Sequence, residues 1–125
     1  MLTVAGTRLP PDPSSVPTAR QLVGEVTGHL PKRAREAAEL VTSELATNSV
    51  VHARTDFEVF AAVDDATVEV VVADQTGWLS SRADGREPGH GLLLVGLLAT
   101  DWAAELEGGG KRVWARLAVD DVPAY

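Results

Sequence analysis

The chain of 125 residues contains no cysteine, few aromatic side chains and no long apolar run. The lack of cysteine excludes disulfides and thiolate metal sites. No apolar run approaches the roughly 18 residues that a membrane-spanning helix needs. The N-terminal stretch MLTVAGTRLPPDP also lacks the basic and apolar segments of a signal peptide. These absences favour a cytoplasmic protein that does not enter a membrane.

Positive charge is also scarce, because 11 Lys and Arg residues stand against 18 Asp and Glu, for a formal net charge of −7. Such a balance argues against a protein that holds nucleic acid through its phosphates, and against binding to an anionic membrane surface. A hydrophobic content of 45% is ordinary for a globular chain. At this length we expect a single domain over residues 1–125.

The N-terminal third predicts a strand followed by a helix. Residues 1–9 suit a short edge strand, and the prolines between positions 10 and 17 then interrupt regular structure. Ser14 or Ser15 is expected to cap a helix that has Pro17 in its first turn and runs to about His29. The residues expected on the inward side of that helix are Ala19, Leu22, Val23, Val26 and Leu30.

A second helix is predicted from about Lys32 to Ala53, and its segment 39–53, ELVTSELATNSVVHA, contains neither Pro nor Gly. The expected apolar side of this segment consists of Leu40, Val41, Leu45 and Val51. Glu44, Asn48 and His52 are four residues apart, so they share one face of the helix. Such groups are costly to bury beside an apolar seam unless something pairs with them. The row is therefore either a solvated polar stripe or part of a functional site.

Two strands are predicted next. Phe57, Val59, Ala61 and Val63 alternate with other residues, which predicts one buried face. Asp64-Asp65 is the expected turn, and the β-branched run 67–73, TVEVVVA, suits an interior strand that ends before Asp74.

Residues 75–91 form the longest stretch without periodicity, and loops of this length are usually functional or disordered. The apolar run 92–99 follows Gly89-His90-Gly91 and suits either a buried helix or a strand. The Gly-x-Gly start favours the helix. Residues 101–107 and 111–119 predict a hairpin across glycines 108–110. The expected fold class is α+β, a two-layer sandwich whose mixed, mostly antiparallel sheet carries helices on one face.

Three segments of this fold carry groups with chemical uses: the polar face of the long helix, Asp74 at a strand end, and Gly89-His90-Gly91 at a helix start. Glycines at a helix start let backbone N–H groups approach a phosphate. An Asn oxygen suits Mg²⁺, and a carboxylate one turn away could activate a nucleophile. Asp74 could accept a hydrogen bond from an exocyclic amine such as that of adenine.

With these motifs in this order, the chain resembles the GHKL (Bergerat-fold) ATP-binding domains. Within them it is similar to the RsbW-type anti-sigma-factor serine/threonine kinases of actinobacteria. The resemblance extends from about Thr18 to Leu117. Its motifs are SELATNSVVHA at 43–53, VADQTG at 72–77, GHGLLLVGLLATDWA at 89–103 and GGGKRVWARL at 108–117.

The resemblance implies that the cofactors are ATP and Mg²⁺. It implies Glu44 as the catalytic carboxylate, Asn48 as the Mg²⁺ ligand, His52 near the nucleotide and Asp74 as the group that binds the adenine amine. The remaining nucleotide-binding residues that it implies are Gly77, Gly89, His90, Gly91 and Leu92.

Residues 78–88 would form a lid over ATP. Arg82 and Arg86 in that lid are either phosphate contacts or solvated loop charges.

The chain departs from the family pattern at three positions. The second motif usually reads Asp-x-Gly-x-Gly, and here Thr76 and Trp78 replace its two glycines. In the closing strand Arg112 stands where Thr often follows the Lys. These departures bear on how well adenine fits.

The function that the resemblance implies is an ATP-dependent serine/threonine protein kinase that is also an anti-sigma factor. Its partners would be a sigma factor and an anti-sigma-factor antagonist, and it would form a homodimer. The alternatives are a regulatory module of the same fold that binds ATP weakly or not at all, and a stand-alone ATPase.

Overall fold

The structure is a computed structural model that describes residues 1–75 and 90–123. Its elements in chain order are β1 (Thr3–Leu9), α1 (Ser15–Val26), α2 (Lys32–Asn48), a π-helical turn (Ser49–Ala53), β2 (Phe57–Val63), β3 (Thr67–Asp74), α3 (His90–Leu98), β4 (Asp101–Glu107) and β5 (Gly110–Ala118). This order agrees with the one predicted from the sequence.

The strands form one sheet in the order β1-β2-β3-β5-β4. Every pairing among these strands is antiparallel, so the described sheet is antiparallel throughout rather than mixed. The α+β prediction with two layers is confirmed, and β3 is the central strand, as its β-branched run indicated.

The core lies between one face of the sheet and the helices. Alternation along β2 buries Phe57, Val59, Ala61 and Val63, as predicted. The same face of the neighbouring strands contributes Val68, Val70 and Val72 from β3 and Val113, Ala115 and Leu117 from β5. Helices α1 and α2 pack against this face. Each fully buried Val, Leu or Phe is worth about 1.5–3 kcal/mol, so this layer supplies much of the stability.

The first helix differs from its prediction at both ends. It ends at Val26 rather than near His29, because the chain turns ahead of Pro31. No serine side chain caps its N-terminus. Ser14 Oγ instead donates to Asp12 Oδ1 at 2.7 Å, and Ser15 Oγ donates to the Pro10 carbonyl at 2.7 Å.

The long helix runs as far as predicted, but its last turn is π-helical. Val41 and Leu45 are buried as expected, whereas Val51 is 54% exposed, so its assignment to the apolar side is wrong. The π turn holds more residues per turn than an α-helix and therefore shifts the direction of the side chains that follow Asn48. Ser49 lies against the core instead, with 2% of its surface exposed.

The C-terminal elements agree with their predictions. The apolar run after Gly91 is helical, and α3 begins at His90. Gly108 and Gly109 join β4 to β5 with φ of +58° and +84°, as in the tight hairpin turns that need positive φ at both central residues. Among the helices that the structure describes, none is long and apolar enough to cross a membrane.

Candidate functional site

The site is built around Asp74, the last residue of β3. Asp74 follows the alternation of that strand onto the helix-facing side, and only 3% of it is exposed. Ser49 Oγ donates a hydrogen bond to Asp74 Oδ2 at 3.3 Å. Lys111 Nζ lies 3.8 Å from the same oxygen, which makes an ion pair. A buried carboxylate needs such partners, because burying it alone is costly.

The register of β3 with β5 explains why Lys111 reaches Asp74. The two residues are directly opposite in the antiparallel pair, so their side chains lie on the same face. The Lys111 side chain is 13% exposed, and most of its stem is therefore buried. Gly110 permits the close approach of the strands, because a Cβ atom there would overlap the Asp74 carbonyl oxygen.

The structure brings Asp74 next to the helix turn that carries the predicted Mg²⁺ ligand. Asn48 is the last residue of α2 and directly precedes Ser49, which contacts Asp74. Glu44 lies one turn earlier, and the side chains of Glu44 and Asn48 are both half-buried. Within residues 1–75 and 90–123, neither side chain has a hydrogen-bond or ion-pair partner. These ranges of the chain therefore leave both side chains able to contact a ligand.

His52 lies on the π turn and is exposed. It follows Asn48 by four residues and is therefore near the site in sequence.

The start of α3 supplies the third predicted segment. His90 is its first residue, Gly91 lies in its first turn, and Leu92 is half-buried. Helix α3 packs against α2, so both helices belong to the same layer. The positive end of a helix dipole favours an anion such as a phosphate.

Some predicted residues lie outside the described residues. These are Thr76, Gly77, Trp78, Gly89 and the lid 78–88 with Arg82 and Arg86.

The departure at Arg112 lies on the other side of the sheet. Arg112 Nη1 donates to Glu105 Oε1 at 3.1 Å, on the face that the helices do not cover. On the Asp74 side of the sheet the β5 residue is Lys111, and the effect of Arg112 on how adenine fits stays a prediction.

Sequence reasoning missed Ser49 and Lys111. The signal for Ser49 was a hydroxyl directly after Asn48. The sequence predicts an unbroken α-helix there, and that prediction did not assign Ser49 to the buried side or to the polar face. Lys111 was visible in the closing strand, and its role depends on a register between β3 and β5 that the sequence pattern does not specify.

A groove of about 570 Å³ lies on the uncovered face of the sheet. Phe60, Val71 and Ala73 belong to its lining and point away from the helices. Glu44 and Asn48 are not part of it. Asp74 and Lys111 also line the groove, so it shares the strand-end residues of the predicted nucleotide site.

Comparison with known proteins identifies the family of the chain. A family model described as the histidine kinase-like ATPase domain matches residues 9–117. No curated protein matches the chain. The matched region begins at the last residue of β1, ends at the penultimate residue of β5, and includes Glu44, Asn48 and Asp74. The chain therefore belongs to the histidine kinase-like ATPase domain family, for which ATP is the supported ligand.

Proposed function

We propose that the protein is an ATP-dependent serine/threonine protein kinase that also acts as an anti-sigma factor in the cytoplasm. The observation that carries the proposal is the contact of Ser49 with Asp74 at 3.3 Å. This contact joins the strand end that would read the base to the helix turn that would hold the metal. The motif resemblance supplies the choice of serine or threonine as the acceptor.

The residues present fit ATP. Asp74 offers a buried acceptor for the amine of adenine. Asn48 offers a hard oxygen for Mg²⁺, which prefers one or two protein groups together with phosphate oxygens and water. Within the described residues, no group of three or more His, Asp or Glu side chains could hold a metal ion by itself. Bound Mg²⁺ would neutralise charge on the phosphates.

Glu44 would act on the protein substrate. Its carboxylate takes the proton of a serine hydroxyl while the hydroxyl oxygen forms a bond to the γ-phosphorus and the bond to ADP breaks. Its position one turn before Asn48 supports a role beside the proposed phosphate end of the site. The products are a phosphoserine and ADP.

The proposed partners are a sigma factor, which the protein would sequester, and an antagonist protein, which it would phosphorylate. Both follow from the motif resemblance.

A homodimer is also proposed, and the uncovered sheet face supports it. Phe60, Val71 and Trp114 form an apolar row across three strands, with Phe60 40% exposed. Arg116 and Glu69 beside this row pair with each other at 3.0 Å, which neutralises part of the flanking charge. The apolar row itself could pack against the same row of a second copy. Sedimentation of Phe60→Asp should then show a monomer where the wild type is a dimer, and equal sedimentation would contradict the proposal.

The kinase proposal is tested with Glu44→Gln. Transfer of labelled phosphate to an antagonist should fall by about 10² to 10⁴, while ATP affinity stays unchanged. Glu36→Gln is the matched control, because Glu36 is an exposed residue of the same helix, 3.9 Å from Lys32. Equal transfer by Glu44→Gln and the wild type would remove Glu44 from the mechanism.

A second candidate function is a regulatory module that binds its partners without catalysis. The contact that favours it is the ion pair between Lys111 and Asp74, because a carboxylate paired within the chain is stable when buried without a ligand. Unmeasurable ATP binding together with retained sigma-factor binding would decide for this candidate.

A further inference from the structure

Two side chains from separate parts of the chain converge on one oxygen of Asp74. Ser49 comes from the π turn, and Lys111 comes from β5. Both contact Oδ2, at 3.3 Å and 3.8 Å. The two elements approach the carboxylate from the helix layer and from within the sheet.

Contacts from two directions restrict the rotation of the carboxylate. The terminal torsion of an Asp side chain is otherwise broad, with no single preferred angle. With Oδ2 held by a hydroxyl and an ammonium, the plane of the carboxylate is fixed relative to α2 and β5. A fixed acceptor distinguishes ligands by where their donors lie, because a donor has to meet the lone-pair direction.

We propose that Ser49 and Lys111 are positioning residues that orient Asp74 toward the 6-amino group of a purine base. This inference rests on the proposed nucleotide binding and adds the residues that set its base specificity. Neither residue touches the reacting atoms. Both act through the carboxylate that meets the base.

The structure also explains why Lys111 suits this role. Its side chain is 13% exposed and that of Asp74 is 1% exposed, so the pair is mostly shielded from water. Electrostatic interactions are weakened less there than at the surface. A purely structural ion pair would support every bound nucleotide equally. A positioning pair would matter only for nucleotides that carry the amine.

The experiment compares two ligands that differ only in that amine. ATP and purine riboside 5′-triphosphate, which lacks the 6-amino group, are titrated calorimetrically into the full chain with Mg²⁺. The wild type should prefer ATP by about tenfold or more, as for a hydrogen bond to a charged group. Ser49→Ala and Lys111→Met should each bring the two affinities to within about threefold by weakening ATP binding alone.

Matched controls make the same chemical changes elsewhere. Ser43→Ala removes a hydroxyl that donates to the Glu39 carbonyl at 3.0 Å. Lys32→Met removes an ammonium from a pair with Glu36 that is mostly exposed. Both controls should keep the wild-type preference for ATP.

Three results would overturn the inference. Equal weakening of both ligands by Ser49→Ala would show that the contacts only support the fold. A wild type that binds both ligands equally would show that Asp74 does not read the amine, although nucleotide binding would stand. Failure of the wild type to bind either ligand would remove the proposed function as well. If Lys111→Met does not fold in a thermal melt, Ser49→Ala decides alone, because it removes a single hydroxyl.

Discussion

Asp64 lies before the central strand β3 and Asp74 ends it, and the two carboxylates differ in burial and in where their partners lie along the chain. Asp64 precedes the strand, and its Oδ1 accepts the backbone N–H groups of Ala66 and Thr67, each at 2.8 Å. Asp74 ends the strand, is buried, and is held by Ser49 and Lys111 from distant parts of the chain.

The difference in partners indicates that Asp64 forms a turn, whereas Asp74 belongs to the candidate site. Asp64 completes its hydrogen bonds within three residues, so it stabilises the local hairpin whatever the rest of the chain does. The contacts of Asp74 with Ser49 and Lys111 form only when the π turn and β5 are both in place. The surroundings of Asp74 are therefore complete only after the π turn, β3 and β5 have packed together. We infer that the Asp74 end of β3 is the end that binds a ligand.

Asp74→Asn should show the largest effect at this end. The amide that replaces the carboxylate removes the charge and presents donors to the base amine, so ATP affinity should fall by about 10- to 100-fold in calorimetry. Asp64→Asn is the control and should leave ATP affinity unchanged. If both variants weaken ATP binding equally, the contrast between the two ends is wrong.

Gly110→Ala should show the next largest effect, on stability. The added Cβ overlaps the Asp74 carbonyl oxygen, and backbone cannot move aside as a flexible side chain would. We expect the free energy of unfolding to fall by about 1–3 kcal/mol in urea titrations. Gly109→Ala is the control, since no atom lies within 4 Å and only its φ of +84° opposes a side chain. A larger loss for Gly109→Ala would show that the close approach at Asp74 is unimportant.

Arg54→Gly should have a smaller effect of opposite sign. Arg54 follows the π turn with φ of +58°, and it alone among the described non-glycine residues has a positive φ. Removing this strain should raise the free energy of unfolding by about 1 kcal/mol, partly offset by the flexibility of glycine when unfolded. Asp65→Gly, in the turn at the other end of β3, should instead lower stability. A loss on Arg54→Gly would mean that the arginine side chain outweighs its backbone strain.

Asp64→Asn should show the smallest effect, on the pH dependence of the melting temperature. The backbone N–H groups of Thr67 and Ala66 hold the pKa of Asp64 below its usual value of 3.8. The folded state therefore releases the proton more readily than the unfolded state does. The resulting stability is present above pH 3.8 and is lost as pH falls through the lowered pKa. The small gap in melting temperature between wild type and variant should close in acid, and a gap that widens in acid would contradict this role.

Much of the fold was predictable because its signals are local. Alternation along 57–63 identifies the buried face of β2, and glycines 108 and 109 mark the hairpin. The turn at Asp64 follows from residue types that are adjacent in sequence.

The remaining features depend on contacts between distant residues. The π turn has no glycine or proline to mark it, so Val51 was placed on the wrong face and Ser49 was given no role. Asp74 could be selected as a candidate from its position after a strand. Its partnership with Lys111 depends on the pairing of β3 with β5, which comes from the packing of the whole sheet.

Calorimetric titration of the wild type with ATP, in Mg²⁺ and then in EDTA, tests the central claim most directly. A nucleotide site that joins Asp74 to Asn48 predicts saturable binding with Mg²⁺ and binding at least tenfold weaker without it, since the metal links Asn48 to the phosphates. Asn48→Ala should lose most of this dependence on Mg²⁺ while keeping its fold. The absence of saturable binding up to about 1 mM ATP in Mg²⁺, or an Asn48→Ala variant with the full dependence, would contradict the account.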